Sequence, residues 1–440
     1  MINEIKLHWK FFGFLLILPF LYGPIGEGLN GIVVLFFLVL IIRERSVYVF
    51  LLFWYILVLS DNYQMNFANT IKPVLMVLFA IYVLLKMKNQ WRFNRILTHF
   101  IPFLVLAFII LLSSQNIFKG GQKYLSYVLL VLSVPVLVRT LYLENKAKFL
   151  IVIVAFCFLI VFACLVYGQI SPSSITHGGR LRGIFGNPNG MAMFCLFSIL
   201  FFEVVNKVEG VSFRNLERYL VYAVFFGALL LSGSRASIMA VVIFYAFKQL
   251  SGVSPFIGFA IVISLMLSYD ILLSLGNELA YNIGLNETLR LDGSQGISTA
   301  SGRLIAWKFS WAEIQKNFFL GNGWYYDELW IFGPIQKTLN ALNHQGGVHN
   351  VYLIFWLNNG LVGVALFVFG LFSIFVKASF NCKLAFPILY AAIFQANFEP
   401  WLAASLNPYT ICFFSILTLL LVGEFALNES EANKHKDPIQ

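Results

Sequence analysis

Four arginines and a histidine stand where side chains with their chemistry are least expected. Arg180 and Arg182 lie in T-H-G-G-R-L-R-G-I-F-G-N-P-N-G (176–190), Arg235 in L-S-G-S-R-A-S (231–237), Arg303 in T-A-S-G-R-L-I-A-W-K-F-S-W-A-E-I (299–314) and His349 in G-V-H-N-V-Y-L-I-F-W-L-N-N-G-L-V-G (347–363). A guanidinium grips a phosphate or diphosphate through a planar fork of N–H donors. An imidazole exchanges a proton near neutral pH. Anion binding combined with proton transfer is the chemistry that these residue types allow. Each also has a plainer reading. The arginines can pair with lipid phosphates or with Asp292, Glu313 and Glu399; Arg235 can be an interface anchor whose stem snorkels; and His349 can be a capping residue.

The surroundings sharpen these readings. Glycines at 178, 179, 183, 186 and 190 allow close backbone approach, Asn187 and Asn189 are candidate caps for the helix that follows, and Pro188 suits its first turn. The segment is either an anion-binding loop with Arg180 and Arg182 near a helix N-terminus or a connecting turn. Around Arg303 the spacing of Leu304, Ile305, Trp307, Lys308, Trp311 and Ile314 predicts an amphipathic helix with Ser301 as N-cap and Arg303 in its first turn. His349 falls at the outer end of a long apolar run. No set of His, Asp, Glu or Cys has metal-ligand spacing, so neither a metal nor another cofactor is expected.

The rest of the chain is built to place these residues. Of its 440 residues 60% are hydrophobic and only 11% charged, against about a quarter charged in soluble domains. Apolar runs recur from end to end, and a bilayer core of about 30 Å needs about 20 helical residues to cross it. The expected fold is an all-α integral membrane protein, a polytopic bundle of about 12–14 transmembrane helices. Spans are placed at 11–26, 28–42, 46–60, 71–86, 99–114, 123–138, 149–168, 189–205, 219–232, 236–250, 255–275, 349–375, 384–398 and 407–424. The first is read as a retained helix, because no small-residue cleavage site follows it. Four of the five cysteines lie within apolar runs, all but Cys382, and none forms C-x-x-C, which makes them packing residues.

Of the 30 Lys and Arg, 19 fall on the side of the N-terminus and 11 on the other, which puts both termini in the cytoplasm. Topology therefore accounts for most of the +10 net charge, and no nucleic-acid partner is implied. The chain divides into helices 1–11 (1–275, with the arginine loop at 169–190), a large outer loop (276–348), C-terminal helices (349–428) and a cytoplasmic tail (429–440). That outer loop holds Arg290, His344, Asp327 and the aromatics Trp324, Tyr325, Tyr326 and Trp330, which either stack on a ligand or pack a folded cap. A transporter of polysaccharide or lipid-linked substrate would also have many helices. It would place ionisable groups at mid-span in repeated halves, and neither is evident.

Taken in order, R-L-R-G-I-F-G-N-P-N-G, S-G-S-R-A-S, S-G-R with Trp307, F-L-G-N-G-W and H-N-V-Y-L-I-F-W-L-N-N-G-L-V-G resemble the O-antigen ligase and polymerase superfamily, Wzy_C type. The motifs span about 176–363. The resemblance implies a GT-C-like fold in the bacterial inner membrane and a metal-independent glycosyl transfer at the periplasmic face. The implied donor is a glycan on undecaprenyl diphosphate; the acceptor is another glycan, for an O-antigen polymerase, or lipid A-core, for an O-antigen ligase. Membrane lipids and a chain-length regulator would be further partners. Carried onto this sequence, Arg180 and Arg303 hold the diphosphate and His349 acts on the acceptor hydroxyl, with Glu399 or Asp327 as reserve base. Arg182, Arg235, Asn187, Asn189, Asn350, Tyr352, Trp324 and Glu399 make up the expected substrate-binding set.

Overall fold

The computed structural model describes residues 1–91, 94–171, 175, 179–250, 254–268, 303–342 and 346–425. Ser301, Asp292, Arg290, His344, the outer end of the 255–275 run and the tail lie outside the described residues. In chain order the helices are α1 (Ile2–Leu7), α2 (Trp9–Ile25), α3 (Gly28–Ile42), α4 (Ser46–Ser60), α5 (Asn66–Lys86), α6 (Arg95–Leu111), α7 (Ile117–Ile170), α8 (Pro188–Val205), α9 (Asn215–Ser232), α10 (Arg235–Gln249) and α11 (Pro255–Leu267). Then follow α12 (Arg303–Ile314), α13 (Tyr326–Ile331), α14 (Gln336–Ala341), α15 (Val351–Ser379), α16 (Ala385–Ala396) and α17 (Pro408–Val422). The protein is an all-helical polytopic membrane protein. Among the described residues α5, α7, α8 and α15 are long and apolar enough to cross a membrane, with seven shorter apolar helices beside them.

The 54 residues of α7 would reach about 80 Å if straight, at 1.5 Å per residue. They are interrupted at Asn145, whose backbone (φ −147°, ψ 53°) is not helical. Gly120 in the first leg packs on the carbonyl of Trp324, and Cys164 in the second packs under Gly183. Between them Lys146 meets Glu424 at 2.5 Å, beyond the far end of α17. The chain therefore reverses at Asn145, and the two legs match the separate runs expected at 123–138 and 149–168.

Three helices, α4, α8 and α17, are apolar on all sides and buried along nearly their whole length, as a helix without a solvent stripe must be. They form the axis of the bundle: Trp54 of α4 donates its indole N–H to the carbonyl of Pro408 at 3.0 Å. Their ends meet on one face, where Asp61 follows α4, Asn187 caps α8 and Asn407 caps α17. At the opposite face lie the ion pairs Lys86–Glu44 and Lys248–Glu203.

The long run expected at 349–375 is not one helix. It breaks at Gly360 (φ 65°, ψ −177°), and the segment 318–323 lies along the break. Asn322 and Gly323 donate their N–H groups to the carbonyls of Leu357 and Asn358 at 2.9 and 2.7 Å. Leu361 and Val362 donate theirs to Phe318 and Phe319 at 2.9 and 3.2 Å. Backbone groups released by the break are thus satisfied inside the protein, as an apolar surrounding demands. Asn358 completes the join, accepting from the Asp327 N–H at 3.0 Å and donating to its carboxylate at 2.9 Å. Both features of N-N-G at 358–360, an amide and then a residue without a side chain, serve this seam.

Candidate active site at one end of the helix bundle

The loop before α8 is shaped by what it touches. Gly183 (φ 58°) sits on Cys164, and a Cβ on Gly186 would collide with the carbonyl of Asp61. Asn62 donates to the carbonyl of Ile184 at 3.2 Å. Leu181 donates its N–H to Leu231 at 2.9 Å, which brings Arg180 alongside the turn between α9 and α10. There the Arg180 Nε donates to the Ser232 carbonyl at 2.6 Å and its Nη2 to Asn189 Oδ1 at 2.8 Å.

Asn187 is the N-cap expected, accepting from Gly190 at 2.8 Å, with Pro188 behind it. Asn189 does not cap. It turns its amide between two charged groups, accepting from Arg180 and donating to Glu399 Oε1 at 2.9 Å. The same carboxylate oxygen receives Arg303 Nη2 at 2.5 Å, and His349 Nδ1 stands 3.6 Å from the other oxygen. Glu399, in the F-E-P-W turn between α16 and α17, is 7% exposed. Burial alone would push its carboxyl up. The Arg303 guanidinium, with help from His349 and Asn189, outweighs this and holds it below the usual carboxylate range, so Glu399 is an anion at neutral pH.

His349 is poised by its neighbours. It has φ 50°, one of three non-glycine residues with positive φ among those described, and such backbone is held only where surroundings over-determine it. On one side Val348 accepts the Trp307 indole N–H at 2.9 Å. On the other Asn350 caps α15, accepting from Tyr352 and Leu353 N–H at 3.0 and 3.1 Å and donating to Asn397 at 2.9 Å. A Cβ on Gly346 would stand 2.7 Å from His349 Nε2. The ring thus offers Nε2 where Gly346 has no side chain, while Nδ1 faces a carboxylate. A base with a third group orienting it is the arrangement that activates a hydroxyl.

The structure gathers Arg180, Asn189, Arg303, His349 and Glu399 into one cluster and sets others apart. Arg182 points to the Gly186 carbonyl and to Gln64, at 3.3 and 3.4 Å. Arg235 opens α10 three residues after Ser232, half-buried. Tyr352 donates its hydroxyl to the Ile393 carbonyl at 2.9 Å. Trp324 corrects the expectation of a stacking residue: at 2% exposure it is enclosed by Phe103, Tyr124, Tyr127 and Phe355, and no ligand ring can reach its face. Asp327 belongs to the α15 seam and to Lys123, at 3.5 Å.

The sequence reading missed Asp61. Its carboxylate accepts from the Gly186 N–H at 3.1 Å and the Tyr409 hydroxyl at 3.0 Å. A Cβ on Gly190 would be 2.6 Å from both its Oδ2 and that hydroxyl. Burial, reinforced by the charge of Glu399 and opposed by these two donors, pushes its carboxyl up. An acidic residue directly after an apolar run was the available signal. Among the described residues no three His, Cys, Asp or Glu side chains are grouped to hold a metal ion.

With this geometry in place, comparison adds one match: residues 220–368 fit the family model Wzy_C, described as O-antigen ligase. The match covers 149 of the 440 residues and supports the likeness of this stretch to the O-antigen ligase and polymerase superfamily. The Wzy_C stretch runs from within α9 into α15 and carries Arg235, Arg303 and His349. Arg180 and Asn189 before it, and Glu399 after it, complete the cluster from outside. No curated protein matches the chain.

Proposed function

We propose that the protein is a membrane glycosyltransferase that moves a glycan from undecaprenyl diphosphate to an acceptor sugar hydroxyl at the periplasmic face of the bacterial inner membrane. The observation that carries this reading is the convergence of Arg303, Arg180 through Asn189, and His349 on the single carboxylate of Glu399. In the reaction the acceptor oxygen attacks the anomeric carbon of the donor sugar, and its proton passes to His349 Nε2. The bond from that carbon to the diphosphate breaks, and the leaving oxygen keeps the electron pair. Arg303 and Arg180 stabilise the charge gained there. Guanidinium groups fixed before the reaction cost no reorganisation when the charge develops. Glu399 orients the ring, its carboxylate facing Nδ1 of His349 while Nε2 takes the acceptor's proton.

The acceptor we put first is a second repeat unit on its lipid carrier, which makes the protein an O-antigen or surface-polysaccharide polymerase; polymerases are the broader group in the superfamily. The description of the matched family, O-antigen ligase, favours the second reading, transfer of the finished chain to lipid A-core. A deletion strain complemented with the wild-type protein or with Arg180→Ala, Arg303→Ala or His349→Ala separates them on a surface-glycan gel. Loss of a polymerase leaves core bearing single repeats; loss of a ligase leaves bare core and long chains on the carrier. Normal ladders from all three variants would refute the site.

A further inference from the structure

An open groove of about 460 Å³ runs between α12 and α15. Trp307, Lys308 and Trp311 line it from one face of α12, Asn350 and Trp356 from α15, and Asn397 closes its end. Two of the indoles are held by their own N–H groups, Trp307 to the Val348 carbonyl and Trp356 to the Phe318 carbonyl, each at 2.9 Å. Trp311 is 42% exposed and meets Trp356 edge to face, at 5.4 Å and 88°, so the two rings form a right-angled corner. Asn397 accepts from Asn350 with its amide oxygen, and its own N–H₂ has no acceptor among the described residues.

We infer that this groove is a saccharide subsite: one pyranose ring stacks in the Trp311–Trp356 corner while its hydroxyls meet the Asn397 amide and the Lys308 ammonium. A sugar ring has an apolar C–H face and a rim of hydroxyls, and fixed aromatic planes edged by a few polar groups match both. Acyl chains in the groove would leave the Asn397 N–H₂ without a partner, whereas a sugar hydroxyl supplies one. The groove also lies where a glycan at the transfer point must extend. Asn350 directly follows His349, and Trp311 sits about 12 Å along α12 from Arg303, at 1.5 Å per residue. This inference rests on the glycosyl-transfer reading and says which surface beyond the charged cluster grips the glycan.

The test uses the full chain in detergent micelles and the repeat-unit oligosaccharide released by mild acid from the host's own surface polysaccharide, with binding read by saturation-transfer NMR. Wild type should bind the oligosaccharide. Trp311→Ala should weaken binding about tenfold, the effect of removing one aromatic anchor, and Trp311→Phe, which keeps a ring and controls for folding, should retain most of it. In turnover, Trp311→Ala should raise the oligosaccharide KM more than it lowers kcat. Equal binding by Trp311→Ala and wild type would overturn the inference. So would quenching of Trp311 by dibrominated phosphatidylglycerol that saturating oligosaccharide does not relieve, since the groove would then hold lipid. The transfer reading is scored separately: glycan transfer by His349→Ala would sink it and leave the binding result standing.

Discussion

Arg303 and Glu399, 96 residues apart in sequence, are joined by an ion pair of 2.5 Å between Nη2 and Oε1. The pair fastens the start of α12 to the turn between α16 and α17, and its carboxylate also meets His349 and, through Asn189, is linked to Arg180. In the proposed reaction the donor's diphosphate would compete with Glu399 for the guanidinium, which the resting pair holds in place.

Replacing Arg303 by Ala should lower the transfer rate by about 10²–10³, the cost of deleting one preorganised donor at a developing charge. Arg303→Lys should recover only part of this, because an ammonium keeps the charge and loses the fork. Turnover of a lipid-linked glycan by protein in nanodiscs measures both. A lysine variant as active as wild type would mean that Arg303 contributes charge alone.

Glu399 sets the pH behaviour of the cluster. Its carboxyl is held below the unfolded value of about 4.3. The stability that it contributes is therefore complete above that value and is lost as pH falls through the lower folded one. Melting midpoints of wild type should stay level from neutral pH to about pH 5 and drop below it, whereas Glu399→Gln should start lower and lose this part of the slope. Identical acid limbs for the two proteins would remove Glu399 from this role.

The sequence carried the helices well, since each span had only to be apolar for long enough; 28–42 and 46–60 coincide with α3 and α4 to the residue. Arg180, Arg303, His349 and Glu399 could be picked out as candidates because charged and titratable side chains beside such apolar runs are rare. Their meeting was not legible, because it depends on how α8, α12, α15 and α16 pack and on no local pattern. Asn189 was read as a cap for the same reason: its spacing from the helix start suited one, and only the tertiary neighbours gave it two better partners. Trp324 stands in a loop by sequence, yet the 318–323 segment lies along the break in α15 and carries it into the bundle. Gly360 carried no outward sign of that break.

Asp61 is expected to separate charge from hydrogen bonding. Its carboxyl is raised above the unfolded value, so its favourable contribution is present when it is protonated, at low pH, and is lost as pH rises through the folded value. Asp61→Asn removes the buried charge; its amide oxygen can still accept from the Gly186 N–H while its N–H₂ donates to the Tyr409 hydroxyl, which turns to accept, so at pH 7 its melting midpoint should equal or exceed that of wild type. Asp61→Ala leaves both donors unpaired, at about 1–3 kcal/mol each, and should melt lower. An Asn variant that melts as far below wild type as Ala would show that the ionised carboxylate itself is required.

The break in α15 is the last feature open to a single substitution. Gly360 has φ 65° and ψ −177°, backbone that only glycine adopts without strain, and an added Cβ would collide with the carbonyl of Phe319. Gly360→Ala should therefore displace the 318–323 segment, whose four backbone hydrogen bonds close the break, and should cost about 1–3 kcal/mol from strain at this one residue. The loss should reach the site. Trp356 donates to Phe318 and packs against Trp311, so movement of the segment disturbs the wall of α12 that carries Arg303. Thermal melts together with turnover should then fall in parallel in Gly360→Ala, and hydrogen exchange should rise at Leu361 and Val362, whose N–H groups the segment now holds. Exchange at those two amides unchanged from wild type would mean that the break is set by α15 alone and that the segment merely follows it.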